Sequence, residues 1–292
     1  MPVFASIEDA REALARTGYL VDEDLATVVF LGDALGKPIL LEGPAGTGKT
    51  ELAKAVAEAT GSTLVRLQCY EGLDEARALY EWNYRKQLLR IQAADTSERD
   101  DGWDSLHDDI FSEEFLLSRP LLTAIREEGP IVLLVDETDK ADVEVEGLLL
   151  EVLSDFQITI PELGTIKAIQ RPFVVLTSNA TRDLSEALKR RCLYAHVDYP
   201  DAIRERAIVM SRVPDIAEDL AIEVVRTVRT LRALDLRKAP SVAETIDWAR
   251  ALLALDVAVI DDAVVDQTLG VLLKHQSDRV RAREHLRLGA GE

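Results

Sequence analysis

The sequence predicts an α/β fold, a five-stranded parallel sheet between helices, followed by an all-helical C-terminal domain. Three observations predict it. Short apolar runs alternate with helical patterns up to residue 199, as in parallel sheets covered on both faces. A glycine-rich loop joins the first of these runs to a helix. After Pro200 only helical patterns occur. The expected division is an α/β domain over 1–199 and a smaller helical domain over 200–292.

"SIEDAREALAR" (6–16) reads as a helix capped by Ser6, with Asp9 at capping-box spacing. From Asp22, "DEDLATVVFLGDAL" continues in helical period. "KPILLE" (37–42) is a short buried strand, and alanine-rich "KTELAKAVAEAT" (49–60) is a helix closed by Gly61. "TLVRLQ" (63–68) is the second strand. Residues 72–94 read as one long amphipathic helix, followed by an acidic run at 98–109 that suits a solvated loop. "FLLSRPLLTAIREEG" (115–129) is helical in part, with Pro120 breaking it or starting a turn. "PIVLLVDE" (130–137) is the clearest strand, and a helix follows over 142–155. "FQITIPELGTIKAI" (156–169) alternates on both sides of "PELG" and predicts a β-hairpin. "FVVLTSN" (173–179) and "LYAHVDY" (193–199) complete the five strands. Four helical patterns fill the remainder.

The chain has 292 residues, 47% of them hydrophobic, so a sizeable core is expected. Its 34 basic and 53 acidic residues give a net charge of −19. Such a field repels phosphate backbones over most of the surface and argues against nucleic acid as a partner. The cysteines, Cys69 and Cys192, form no metal or redox motif, which suits a reducing compartment. The N-terminus lacks the apolar core of a signal peptide. No apolar run approaches the roughly 20 residues of a membrane span. The expected setting is the cytoplasm.

The chemistry concentrates in four places. "GPAGTGKT" (43–50) fits the phosphate-loop pattern G-x-x-x-x-G-K-[ST] and lies between a strand and a helix. Gly43, Gly46 and Gly48 would let the loop, which also holds Pro44, Ala45 and Thr47, wrap a polyphosphate with its backbone N–H groups. Lys49 would reach the β- and γ-phosphates, and Thr50 would offer its hydroxyl to Mg²⁺. Asp136 and Glu137 end a buried strand at the edge where parallel sheets bind ligands. Asp136 suits a Mg²⁺ site; Glu137 suits polarising a water for attack. Asn179 ends another strand and can address the γ-phosphate or that water; as part of "NATRD" it also reads as a turn residue. Arg190 and Arg191 close "ALKRR", either as a basic helix end or as a catalytic pair directed outside the chain. No guanine-reading NKxD pattern is present, which favours ATP over GTP.

Taken in order, "GPAGTGKT", "LLVDE", "LTSN" and "ALKRRC" before an all-helical end resemble an AAA+ ATPase. More narrowly, "CYEGLDEARALYEWNY" and "LLLEVLSDFQITIPELGTI…VVLTSN" resemble the MoxR group, in particular the CoxD-type branch linked to carbon-monoxide dehydrogenase. The resemblance implies an AAA+ P-loop core, a helix-2 insert near 70–97, a β-hairpin near 156–170 and a C-terminal lid. It implies ATP and Mg²⁺ as cofactors and a homo-oligomeric ring, most often a hexamer, with ATP between subunits. It assigns Arg191, with Arg190 beside it, to the γ-phosphate of a neighbour's ATP. It places adenine against Tyr19, Leu20 and Val21. Where many lids carry an arginine this chain has Val242, with Arg237 and Lys238 just before it.

The function implied is ATP-driven maturation of a client metalloenzyme, the Mo–Cu site of carbon-monoxide dehydrogenase in the CoxD case. A von Willebrand A-domain partner would be a separate polypeptide, since no DxSxS motif occurs here. The alternatives are a nucleic-acid motor or loader on the same core, and a nucleotide-gated scaffold.

Overall fold

The computed structural model describes residues 3–94 and 109–289. The acidic run at 98–109 lies outside them apart from Asp109. Two helices open the chain, α1 (Ile7–Arg16) and α2 (Glu23–Leu35). Ser6 caps α1 by accepting from the Asp9 N–H at 3.1 Å. The Asp9 carboxylate reaches back one residue further than a capping box requires, to the Ala5 N–H at 2.9 Å. Asp22 caps α2 through the Leu25 N–H. Then come β1 (Ile39–Glu42), α3 (Lys49–Thr60) and β2 (Thr63–Gln68).

The segment read as one long helix over 72–94 is instead α4 (Glu75–Ala78), β3 (Tyr80–Trp82) and α5 (Tyr84–Ala94). Two causes break it. β3 pairs antiparallel with β4 (Leu116–Ser118), setting Tyr80 opposite Ser118 and Trp82 opposite Leu116. Asn83 then starts α5 afresh, its side chain accepting from the Lys86 N–H at 3.1 Å. Trp82 is buried, with the Phe111 ring edge-on at 5.2 Å.

Pro120 starts a helix, α6 (Pro120–Arg126), at the position where its missing N–H costs nothing. It is followed by β5 (Ile131–Asp136), α7 (Val143–Asp155), the hairpin β6 (Gln157–Ile160) and β7 (Gly164–Lys167), β8 (Phe173–Ser178), α8 (Glu186–Lys189) and β9 (Leu193–His196). The main sheet has the order β2-β5-β8-β1-β9 and every pairing in it is parallel. Alternate residues serve opposite faces. Leu40, Leu133, Val135, Val174 and Leu176 pack on the side of α6 and α7. Ile39, Leu41, Val132, Leu134 and Val175 pack on the side of α1, α2 and α3. Burial on both faces explains why these strands are continuous apolar runs.

The C-terminal region holds α9 (Ala202–Arg212), α10 (Glu218–Arg232), α11 (Val242–Ala254), α12 (Asp262–Leu272) and α13 (Gln276–Gly289). It has its own apolar cluster, which includes Val209, Leu220, Val224, Val228 and Leu252 around fully buried Trp248. The Trp248 indole N–H donates to Thr268 at 2.8 Å. A buried ion pair ties these helices together. Arg232 donates to both oxygens of Glu205, at 2.7 and 2.8 Å, and Thr245 donates to the same carboxylate.

No helix among the described residues is long and apolar enough to cross a membrane.

Candidate functional site

The C-terminal edge of the main sheet opens into a cavity of about 840 Å³. Its walls come from the segment before α2, the loop between β1 and α3, the tips of β5 and β8, and the helices α9 and α11. The loop 43–48 is compact because its glycines permit it. Gly43 has φ 154°, and a Cβ there would sit 2.1 Å from the Val197 carbonyl oxygen. Gly46 has φ 80°, and a Cβ there would sit 2.2 Å from the Ser241 Cβ. A side chain at either position would be both strained and in collision. At the other end of the loop, α3 starts with Gly48 as N-cap and no side-chain cap, so its first N–H groups face the loop.

Lys49 is buried. Its ammonium donates to the carbonyls of Gly43 and Pro44, both at 2.7 Å, and to Asn179 Oδ1 at 3.0 Å. Those three bonds use all the donors an ammonium has. Burial lowers the Lys49 pKa, and the nearby carboxylates of Asp139, Asp136 and Glu137 act against that shift without cancelling it.

Asp136 is buried at the end of β5. Its Oδ1 accepts from the hydroxyls of Thr50 at 2.9 Å and Thr177 at 2.6 Å. Its Oδ2 accepts from the Arg66 guanidinium. A carboxylate beside a hydroxyl is the hard-oxygen chemistry that suits Mg²⁺. Glu137 lies in the left-handed region, at φ 55° and ψ 48°, which is uncommon for a residue other than glycine. Its N–H donates to Thr177 Oγ1 at 2.9 Å, and its carboxylate accepts from Gln68 at 3.0 Å and Lys140 at 2.6 Å.

Asn179 extends from β8, and the carboxylate of Asp139 holds it in place. That buried carboxylate accepts from the Asn179 N–H at 3.1 Å and from both the N–H and the hydroxyl of Thr181. Burial opposes the Asp139 charge, but these hydrogen bonds outweigh it and hold the carboxyl below its usual range.

Ala45, Gly46, Thr47, Gly48, Lys49, Thr50, Asp136, Glu137 and Asn179 therefore share one cavity, with Tyr19, Leu20 and Val21 on its wall. Gly43 and Pro44 act from behind it through their carbonyls. The Tyr19 hydroxyl donates to the Gly48 carbonyl at 3.1 Å, and burial raises its pKa.

Arg190 and Arg191 do not join this group: neither lines the cavity, and both are exposed. Arg191 donates to Ser154 Oγ at 2.6 Å and to the Ala187 carbonyl at 3.0 Å. The Arg190 guanidinium has no hydrogen-bond or ion-pair partner among the described residues.

From the helical region, Val242 lines the cavity and donates its N–H to the Gly46 carbonyl at 3.1 Å. Arg237 and Lys238 are absent from the lining; Arg204 and Arg212 of α9 are on it. Arg212 pairs with Glu51 and Arg204 with Asp22. Sequence reasoning did not single out Arg204, Arg212, Arg66, Gln68, Asp139 or Thr177. Of the last four, Gln68 is the end of a strand that it did identify and the others lie two residues from such an end, and that proximity was the usable signal.

A family model described as an AAA domain of the dynein-related subfamily matches residues 38–192, more than half the chain. The chain belongs to this AAA family. Among curated proteins, the gas vesicle ATPase GvpN of Ancylobacter aquaticus is 28% identical over 268 residues, covering 86% of this chain and 71% of that protein. An uncharacterized protein of Staphylococcus aureus is 29% identical over 235 residues, covering 76% and 77% respectively. Among solved structures, a RuvB mutant of Thermotoga maritima matches with a TM-score of 0.50 at 18% identity, covering 92% of this chain and 71% of that one. At that identity the likeness speaks to the fold. The AAA match spans the loop, both acidic residues, Asn179 and the arginine pair, so all the motif residues fall inside it.

Proposed function

We propose that this chain is an ATP-driven remodelling subunit of the MoxR type, acting as a ring on a client enzyme. It is an AAA ATPase, as family membership and the ATPase relatives indicate. Within it, Lys49 and the N–H groups of the loop and of the start of α3 hold the polyphosphate. Thr50 and Asp136 would hold Mg²⁺, which when bound offsets phosphate charge. Glu137, on the cavity wall, accepts a proton from the attacking water. Asn179, anchored by Asp139, orients that water or the terminal phosphate. Tyr19, Leu20 and Val21 form the apolar wall for adenine.

The observation that carries the ring reading is the position of the arginine pair. Every other motif residue converges on one cavity or backs it, while Arg190 and Arg191 face outward. An arginine placed this way serves the site of a second copy. Arg191 would give up two hydrogen bonds to do so; Arg190 would give up none.

Motion follows from the link between loop and helices. The Tyr199 hydroxyl donates to the Ala45 carbonyl at 3.3 Å, and the Arg232 guanidinium stacks 4.3 Å from the Tyr199 ring. With the Gly46–Val242 bond, this joins the phosphate loop to α10 and α11, so a shift of the loop is passed to the helical region.

The resemblance to the CoxD-type branch favours a metalloenzyme client, with the Mo–Cu site of carbon-monoxide dehydrogenase as the case in point, and a von Willebrand A-domain partner. A net charge of −19 weighs against a nucleic-acid motor. The experiment is affinity capture on a Glu137→Gln chain with ATP, which is expected to retain nucleotide and to slow turnover about 10²–10⁴-fold. Recovery of an A-domain protein together with a metalloenzyme is the expected result. Recovery of nucleic acid in their place would overturn the client reading, and unchanged turnover would remove Glu137 from its role.

A further inference from the structure

Asp136 is crowded by donors from its own chain. Its Oδ1 takes two hydroxyls, from Thr50 and Thr177, which accounts for both lone pairs of that oxygen. The oxygen with room for anything else is Oδ2, and a positive charge is already on it. Arg66 lies on β2, the strand paired with β5, and its guanidinium donates to Oδ2. The same nitrogen donates to Gln68 Oε1. The two ends of the ion pair differ sharply: the Arg66 side chain is 51% exposed, the Asp136 side chain 4%.

We propose that Arg66 is a built-in competitor for the cation position at Asp136. Its guanidinium holds Oδ2, and a divalent cation arriving with nucleotide gains that oxygen only as Arg66 swings out. Two positive charges on one carboxylate oxygen repel strongly in a partly buried site. The carboxylate cannot yield, because it is buried and fixed by two hydroxyls. The arginine can, because half of its side chain is already in water. Release therefore carries little desolvation cost, and the competition is mild rather than blocking. The consequence is a cation requirement set by residue 66 as well as by the ligands themselves. Gln68, which shares Arg66 and also donates to Glu137, carries the same event to the second carboxylate.

This inference rests on the ATP-site reading, and the test separates the two. Binding of a fluorescent, non-hydrolysable ATP analogue is measured against Mg²⁺ concentration at constant ionic strength. The proteins are the full chain, Arg66→Met, Arg66→Lys and Asp136→Asn. In Arg66→Met the Mg²⁺ concentration giving half the affinity gain is expected to fall about two- to fivefold, the range spanned by an ion pair with one exposed partner. Arg66→Lys, which keeps the charge, is expected to recover part of the original midpoint. An unchanged midpoint in Arg66→Met, with binding otherwise normal, would overturn the competition alone. A fall in analogue affinity in EDTA would also overturn it, because Arg66 would then be a phosphate ligand. Mg²⁺ dependence that survives Asp136→Asn would remove the ATP-site assignment of Asp136 and the competition with it.

Discussion

Lys49 and Arg190 are both cationic and both belong to the chain's motifs, Lys49 after the C-terminal end of β1 and Arg190 before the start of β9, and they are treated in opposite ways. Lys49 is buried, with all three of its donors satisfied inside the chain. Arg190 stands exposed with no partner for its guanidinium among the described residues. Burying a charge is costly unless it is paired and hydrogen-bonded, so a chain that buries one has shaped the surroundings to fit it. A charge left at the surface is restrained by nothing nearby and is available to another molecule. The contrast divides the proposed site into a pocket complete within one chain and an arginine contributed to the next.

The largest expected effect lies on the arginine side. Removing an arginine supplied from outside costs about 10³–10⁵ in turnover in other phosphoryl-transfer enzymes. Arg190→Ala and Arg191→Ala, assayed separately for phosphate release and for nucleotide affinity, should show which one carries that loss with affinity retained. If both keep full turnover, the division between pocket and outward arginine fails.

The next effect concerns the coupling of the pocket to the helices. Glu205→Ala leaves the buried Arg232 without its carboxylate, and breaking a buried pair costs about 3–5 kcal/mol. Urea unfolding should show that loss, with weakened nucleotide binding, because Arg232 also stacks on Tyr199 behind the loop. A loss below about 1 kcal/mol would mean that the pair is dispensable, as many exposed pairs are.

A smaller effect is expected at Asp139. Asp139→Asn removes a charged acceptor from the N–H groups of Asn179 and Thr181, at a cost of about 2 kcal/mol. The sign with pH is fixed by the direction of the shift. The folded-state pKa is depressed, so the carboxylate's contribution is complete above the ordinary aspartate value of about 3.9. It is lost as pH falls through the lower folded value. The stability difference between the two proteins should therefore shrink below about pH 4 and stay constant above it. A difference that grows with acid would contradict this assignment.

The same contrast explains what the sequence could and could not reveal. The sheet was legible because β5 and β8 are buried on both faces and read as unbroken apolar runs. The loop 43–50 was legible because glycine, lysine and threonine spacing is local. Residues 72–94 misread because their alanines and leucines keep a helical period, while the pairing that extends Tyr80–Trp82 comes from Leu116–Ser118, far outside any window. Arg66, Gln68 and Asp139 escaped notice because their roles depend on strand order and on contacts 40 to 70 positions away. Arg204 and Arg212 reach the cavity only because α9 folds back over the loop. Arg237 and Lys238, closer to the expected place in sequence, line no part of it.

The most direct measurement mixes two inactive chains. Lys49→Ala lacks a working pocket but keeps its arginines; the double variant Arg190→Ala/Arg191→Ala keeps its pocket but lacks the outward charge. Each should be inactive alone. Mixed across a range of ratios, they should regain ATP hydrolysis, with a maximum at intermediate composition. A flat, inactive profile at every ratio, under conditions where the chains are shown to co-assemble, would contradict a site shared between two copies.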